Sequence, residues 1–356
     1  MNNRLKSVVT AAALTVGLCF APAQAADLPH VVILATGGTI AGTGATTTTT
    51  VGYTAAKLGV DQMIASVPEL QKVADVRGEQ VAQIASESMN NEVWLKLAKR
   101  INQLLAQKDV DGIVVTHGTD TIEETAYFLD LVVKSKKPVV VVGAMRPSTA
   151  ISADGPINLY NAVILAGSKD AVGKGVLVAL NDQINAAREV TKTNTATADT
   201  FRSPDLGFIG YMQDNKPHFY RMSTRKNTAD TEFDVSKLDK LPRVDIVYGY
   251  ENMDRVAMDA DIAAGAQGIV QAGVGDGSIA AQMMPAFRDA RQKGVIVVRS
   301  SRTGSGIVAR NGEANDDKED LVVSDTLNAQ KARILLMLAL TKTHNTQDIQ
   351  RMFFTY

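Results

Sequence analysis

Two hydroxyls sit where a folded chain most easily does chemistry, each one residue beyond a glycine turn that ends an apolar run. Val31-Val-Ile-Leu-Ala35 leads into Thr36-Gly-Gly-Thr39, and Gly112-Ile-Val-Val-Thr116 leads into His117-Gly-Thr119-Asp120. Unbroken branched apolar runs read as strands covered on both faces. Glycine lets the backbone turn sharply and approach a ligand with no Cβ in the way. Open α/β sheets bind ligands at the carboxyl ends of parallel strands, so the two strand ends are expected to share one cleft. A hydroxyl placed there is a nucleophile for acyl transfer once a neighbour accepts its proton. Each feature also has a plain structural reading. A turn threonine is common, and Asp120 with Glu123, or Thr121 with Glu124, spells a helix N-terminus with its capping box.

Other chemistries find little footing. The four histidines, His30, His117, His218 and His344, have no E-x-x-H or H-x-x-x-H partner, so no metal is expected. Gly273-Val-Gly-Asp-Gly277 lacks the G-x-G-x-x-G spacing of a nucleotide loop and reads as a turn into a helix. No G-x-S-x-G elbow occurs, and Ser223-Thr-Arg-Lys226 lies in a basic stretch with no helix start. No cofactor is expected. The single cysteine, Cys19, falls in the leader described below. The nucleophile is therefore a hydroxyl activated by something other than a serine triad.

The elements that must position these groups are legible in outline. Residues 1–25 read as a secretory signal peptide: Arg4 and Lys6, an apolar run from Val8 to Phe20, then Ala23-Gln24-Ala25. Removing it lowers the formal charge from −1 by two. That near-neutral balance, with acids and bases interspersed, points to a small-molecule partner and away from nucleic acid or a membrane surface. From residue 26 to 223, strands alternate with amphipathic helices, which predicts an α/β domain with a doubly wound, mainly parallel sheet. Within it, the threonine-rich, glycine-bracketed segment 42–53 reads as a surface loop or a lid carrying Tyr53. The middle strand ends at Ala144. Residues 224–242 read as a polar linker closed by Pro242, and 243–356 as a smaller C-terminal α/β domain.

The strings ATGGTIAG (35–42), THGTDTIEETAYFLDL (116–131) and VGAMRPSTAISADGPINLYNA (142–162), together with Lys192 in its V-T-K-T context, carry a resemblance. The chain resembles the bacterial-type L-asparaginases, and more closely the exported type II branch that includes the glutaminase-asparaginases. The likeness spans nearly everything after the leader. It implies that Tyr53 contacts the nucleophile Thr39 and that Lys192 reaches back to Thr119 and Asp120. It implies that Ser86 holds the substrate α-carboxylate, with Glu87 and Ala144 beside it. It also implies that Asn252 and Glu313 complete the site of a neighbouring subunit in a periplasmic homotetramer.

The expected reaction is hydrolysis of the side-chain amide of L-asparagine, and of L-glutamine, through a Thr39 acyl-enzyme. Asp120 is expected to pair with the substrate ammonium. The two substrates differ by one methylene, worth only ~1–3 kcal/mol of discrimination, so activity on both is expected. The rival reading is a periplasmic amino-acid binding protein without turnover, which has no need of Thr39, Tyr53, Thr119 and Lys192 together.

Overall fold

The valine and isoleucine runs become the centre of the larger sheet. In the computed structural model, which describes residues 27–356, β1 (His30–Gly37), β2 (Asp75–Ile84), β3 (Gly112–Thr116), β4 (Val139–Val142) and β5 (Val176–Leu180) pair in parallel. β6 (Gln183–Ala186) turns back antiparallel, and β7 (Thr191–Lys192) pairs only with β8 (Phe201–Arg202). The hairpin β9 (Gly210–Gln213) and β10 (Lys216–Phe219) extends the edge, giving the order β10-β9-β6-β5-β4-β3-β1-β2. Its turn residues Asp214 and Asn215 both adopt left-handed φ (51° and 58°), the conformation a two-residue hairpin loop needs to match strand twist. The signal peptide expected at residues 1–25 lies outside the described residues.

Period-two alternation along β1 divides the core. Val32 and Leu34 pack with Leu97 and Ile101 of α2 (Asn91–Leu105) and Phe128 of α3 (Ile122–Val132). Val31, Ile33 and Ala35 pack on the other face with Val60 and Met63 of α1 (Val60–Ala65) and with Leu159 and Val163 of α4 (Gly155–Gly167). Helices on both faces explain why β3, β4 and β5 are buried throughout. Each fully buried Leu or Ile here contributes ~1.5–3 kcal/mol.

The second sheet, β11 (Val244–Tyr248), β12 (Gly268–Gly273), β13 (Ile296–Ser301) and β14 (Val322–Val323), is wholly parallel. Met258 and Phe287, on the helices at 256–263 and 284–292, cover one face, and Leu335 and Leu336, on the helix at 329–339, cover the other. One apolar cluster runs from Ile101 and Phe128 of the first domain to Leu335 of the second. Phe233, Val235 and Leu241 of the connecting stretch are buried in that cluster. The linker at 224–242, polar in composition, is held down by these three apolar anchors among its Asp and Lys residues. Among the described residues no helix is long and apolar enough to cross a membrane.

Candidate active site

Strand order turns at β1: its neighbours are β3 on one side and β2 on the other. The crevice of an open α/β sheet lies at such a switch point, outside the strand ends. There the turns after β1 and β3 touch. A Cβ built on Gly38, whose φ is 81°, would fall 2.3 Å from the Cα and N of Gly118, so only a residue without a side chain lets the two backbones meet. Thr39 and Thr119 are the next residues on each side of that contact.

Thr39 is buried at 7% exposure, and its hydroxyl lies 2.7 Å from the Tyr53 hydroxyl. Tyr53 arrives on the threonine-rich segment, which is folded down over the site. Thr43 and Thr54 bridge its two ends, while Thr46 and Thr49 bond to each other at its tip. The stretch after β4 clasps it: Gly44 N–H donates to the Thr149 hydroxyl (2.8 Å), Ile151 N–H to the Thr47 carbonyl (2.8 Å), and the Ser148 amide and hydroxyl both donate to the Gly42 carbonyl.

Thr119 is equally enclosed, at 5% exposure, and accepts a hydrogen bond from Lys192 Nζ at 3.0 Å. The same ammonium reaches Asp120 Oδ1 at 2.6 Å, while the Asp120 side chain stays 62% exposed. Lys192 sits on a two-residue strand, too short to hold itself. Glu123 secures it, accepting from the Thr191 hydroxyl (3.1 Å) and weakly from the Lys192 amide (3.5 Å). The other Glu123 oxygen takes Asn328 Nδ2 at 3.0 Å, tying the site to the C-terminal domain. The capping box expected around Asp120–Glu123 or Thr121–Glu124 does not form, for the N-cap residue Thr121 makes no side-chain cap bond. Glu123 is taken instead by tertiary partners, and the Thr121 hydroxyl donates to the Ser86 carbonyl at 2.8 Å.

Ser86, in a single turn after β2, is buried, and its hydroxyl oxygen accepts from the Asp120 amide at 3.2 Å. That use leaves the Ser86 proton free to donate. Glu87 beside it is exposed. Ala144 is fully buried under the cleft; the amides of the next two residues, Met145 and Arg146, donate to the Asp154 carboxylate, both at 2.9 Å. Thr50, Tyr53, Thr119, Asp120, Arg146 and Lys192 line an open cleft of about 440 Å³, an ordinary size for a small ligand. Asn252 and Glu313 are exposed on the second domain, outside that lining.

Sequence reasoning passed over two groups. Glu123 was masked by its capping-box spacing, which is a local signal, whereas its role is set by segments 68 and 205 residues away. His117 was set aside for want of a metal partner. It is fully buried, and burial pushes its pKa down to about 4, so it is neutral.

Two α/β domains, with hydroxyls, a lysine and a carboxylate gathered at the switch point of the first, describe a hydrolase of the two-domain α/β kind. Residues 30–225 match the family described as "Asparaginase, N-terminal", and residues 243–353 match the "Glutaminase/Asparaginase C-terminal domain". The chain belongs to the asparaginase family. It is 57% identical over 330 residues to L-asparaginase 2 of Bacillus subtilis, covering 93% of this chain and 87% of that protein. It is 51% identical over 363 residues to the glutaminase-asparaginase of Pseudomonas fluorescens, covering 100% of both. The crystal structure of a probable cytoplasmic L-asparaginase from Campylobacter jejuni superposes with a TM-score of 0.90 at 50% identity, covering 92% of this chain and 100% of that one. Nothing in these likenesses supports the binding-protein alternative.

Proposed function

We propose that this chain hydrolyses the side-chain amides of L-asparagine and L-glutamine to the acids and ammonia, with Thr39 as nucleophile. The observation that carries the reading is the pairing, across one glycine contact, of Thr39–Tyr53 at 2.7 Å with Thr119–Lys192 at 3.0 Å. A free amino acid brings an ammonium and a carboxylate. The exposed Asp120 carboxylate suits the first, since Lys192 engages only Oδ1, and the Ser86 proton suits the second. Clamped at both ends, the substrate presents its amide carbon to Thr39 Oγ1. Tyr53 relays the proton, its oxygen taking the Thr39 proton as the C–O bond forms while its own proton passes to the leaving nitrogen. Ammonia departs, and water then cleaves the Thr39 ester and restores the hydroxyl. Lys192 holds Thr119 and Asp120 in place and offers positive charge to a developing Thr119 alkoxide.

The developing oxyanion needs donors aimed at it before the reaction starts. The Thr39 and Thr119 amides suit this, because neither donates to any acceptor among the described residues. Asn252 and Glu313, exposed on the second domain, fit a site completed by a neighbouring subunit, and hence a homotetramer. The leader at 1–25 fits export to the periplasm, in keeping with the probable periplasmic L-asparaginase of Haemophilus influenzae, 51% identical over 337 residues.

The test is ammonia release from asparagine and glutamine measured side by side. Turnover of both is expected, with asparagine preferred. No release from glutamine at any concentration would defeat the dual-substrate reading. Stoichiometric binding of both without turnover would defeat the hydrolase reading.

A further inference from the structure

Behind the Thr119 turn, away from the cleft, lies a line of buried hydrogen bonds that the reaction above does not use. Trp94 Nε1–H donates to the Thr125 hydroxyl at 2.8 Å, the Thr125 hydroxyl lies 2.8 Å from His117 Nε2, and His117 Nδ1 lies 2.7 Å from the Gly118 carbonyl. All three side chains are buried. Every proton in this line can be assigned from its ends. Indole can only donate and a carbonyl can only accept. Thr125 therefore receives from Trp94 and passes its own proton to Nε2, and His117 must be the neutral Nδ1–H tautomer, donating to Gly118. Trp94 is itself fixed by stacking on Phe128, with ring centroids 5.0 Å apart and planes at 14°.

A carbonyl and the amide that follows it point in opposite directions across a planar trans peptide. A Gly118 carbonyl drawn inward to His117 turns the Thr119 N–H outward, to the side on which Thr119 lines the cleft. Gly118 has no side chain to lock this peptide, and nothing else among the described residues bonds its carbonyl. We infer that His117, held by Thr125 and Trp94, is a positioning residue: it sets the Gly118–Thr119 peptide so that the Thr119 amide is aimed at the oxyanion. This inference rests on the proposed reaction at Thr39. It also gives a reason for a polar line buried in an otherwise apolar layer, where three well-packed hydrophobic residues would satisfy packing alone.

Its signature is a loss of kcat with KM held, because an oxyanion donor acts in the transition state and hardly at all on the bound amide. Removing such a donor outright lowers kcat by ~10²–10³-fold, so misaiming it is expected to lower kcat by roughly 30-fold or more. The variants are His117→Leu, His117→Asn, Thr125→Val and Trp94→Phe, with ammonia release from asparagine measured per folded site and folded sites counted by binding of the product L-aspartate. His117→Leu and Thr125→Val are expected to lose kcat with KM within threefold of the parent. His117→Asn, whose side-chain amide can donate near the Nδ1 position, is expected to recover most of it, and Trp94→Phe to fall between. Should His117→Leu not fold, Thr125→Val, which keeps the side chain's shape, decides the matter. A kcat within threefold of the parent in Thr125→Val overturns the inference, as does a rise in KM that accounts for the whole loss. Thr39→Ala, run alongside, separates the two levels: if it keeps turnover the reaction itself is misassigned, whereas if it is inactive while the His117 and Thr125 variants are unimpaired, only the positioning line is refuted.

Discussion

The two sheets of this molecule end alike and are used differently. Each sends parallel strands into glycine turns: Gly37-Gly38 and Gly118 in the first domain, Gly273 and Gly275-Asp276-Gly277 in the second. In the first, the turns meet backbone to backbone and leave an open cleft of about 440 Å³ above them. In the second, a guanidinium fills the equivalent place. Arg299 pairs with Asp316 at 2.7 and 2.8 Å, both side chains wholly buried, and also donates to the carbonyls of Asp276, Gly277 and Ala309. Asp316 in turn accepts from the Asn311 amide at 2.7 Å. A buried charge pair of this kind is stable only with every donor and acceptor satisfied, and that requirement freezes the loops around it. The same strand-end geometry becomes a site when left open and a scaffold when filled. Here the scaffold is the base of the loop that presents Glu313.

That contrast can be broken most sharply at its open end. Thr39→Ala is expected to lower ammonia release by roughly four orders of magnitude or more while leaving the unfolding midpoint nearly unchanged, since Thr39 is the proposed nucleophile and losing a nucleophile is among the largest single losses an enzyme shows. Unchanged activity would move the site elsewhere. At the filled end the effect should reverse in kind: Arg299→Met strands a buried Asp316 carboxylate and should destabilise the protein by about 3–5 kcal/mol in urea unfolding. Pairing it with Asp316→Leu should regain most of that loss. If the single variant unfolds like the parent, the guanidinium is no keystone. Back in the cleft, Lys192→Met removes the contact to Thr119 and should lower kcat by about 10²-fold. A rise in KM alone would instead make Lys192 an anchor for Asp120.

The smallest effect concerns pH and lies in the layers beneath the cleft. His117, held down to about 4 by burial, stays neutral when folded, so its contribution to stability is present above 6.5 and is lost as pH falls through about 4. Burial pushes Asp130 up to about 7, so its contribution is present below 3.8 and is lost as pH rises through about 7. Across the window from about pH 4 to 6.5 the two act in opposite directions, and their combined slope should be slight. Asp130→Asn keeps an oxygen for the Val176 amide, now bonded at 2.7 Å, and removes one arm of the opposition. Stability measured by urea unfolding should then rise with pH across that window by up to ~1.4 kcal/mol per unit. A flat profile in the variant would mean that His117 is not the opposing group.

Much of this arrangement was legible beforehand, and the reason is locality. The apolar runs at 31–35 and 112–116 read as strands because branched residues on both faces leave no other stable use for them, and β1 and β3 are there. Asp214-Asn215, two residue types that tolerate left-handed φ, make the turn between β9 and β10. What was not legible has a cause as well. Glu123 fitted a capping box by spacing, but partners distant in sequence, Thr191 and Asn328, outweighed that local preference.

By itself, then, the chain's sequence determined its strand and helix content, the two glycine turns, and, through long ordered motifs, the family to which it belongs. Tertiary structure made real what the resemblance only implied, that Lys192 meets Thr119 across 73 residues and Tyr53 meets Thr39, and it alone decided that one strand end stays open while another is sealed by Arg299. The physical reason is that backbone preferences are set within a few residues. Which side chains become neighbours depends instead on strand order and on the burial of charge, and these exist only once the whole sheet has formed.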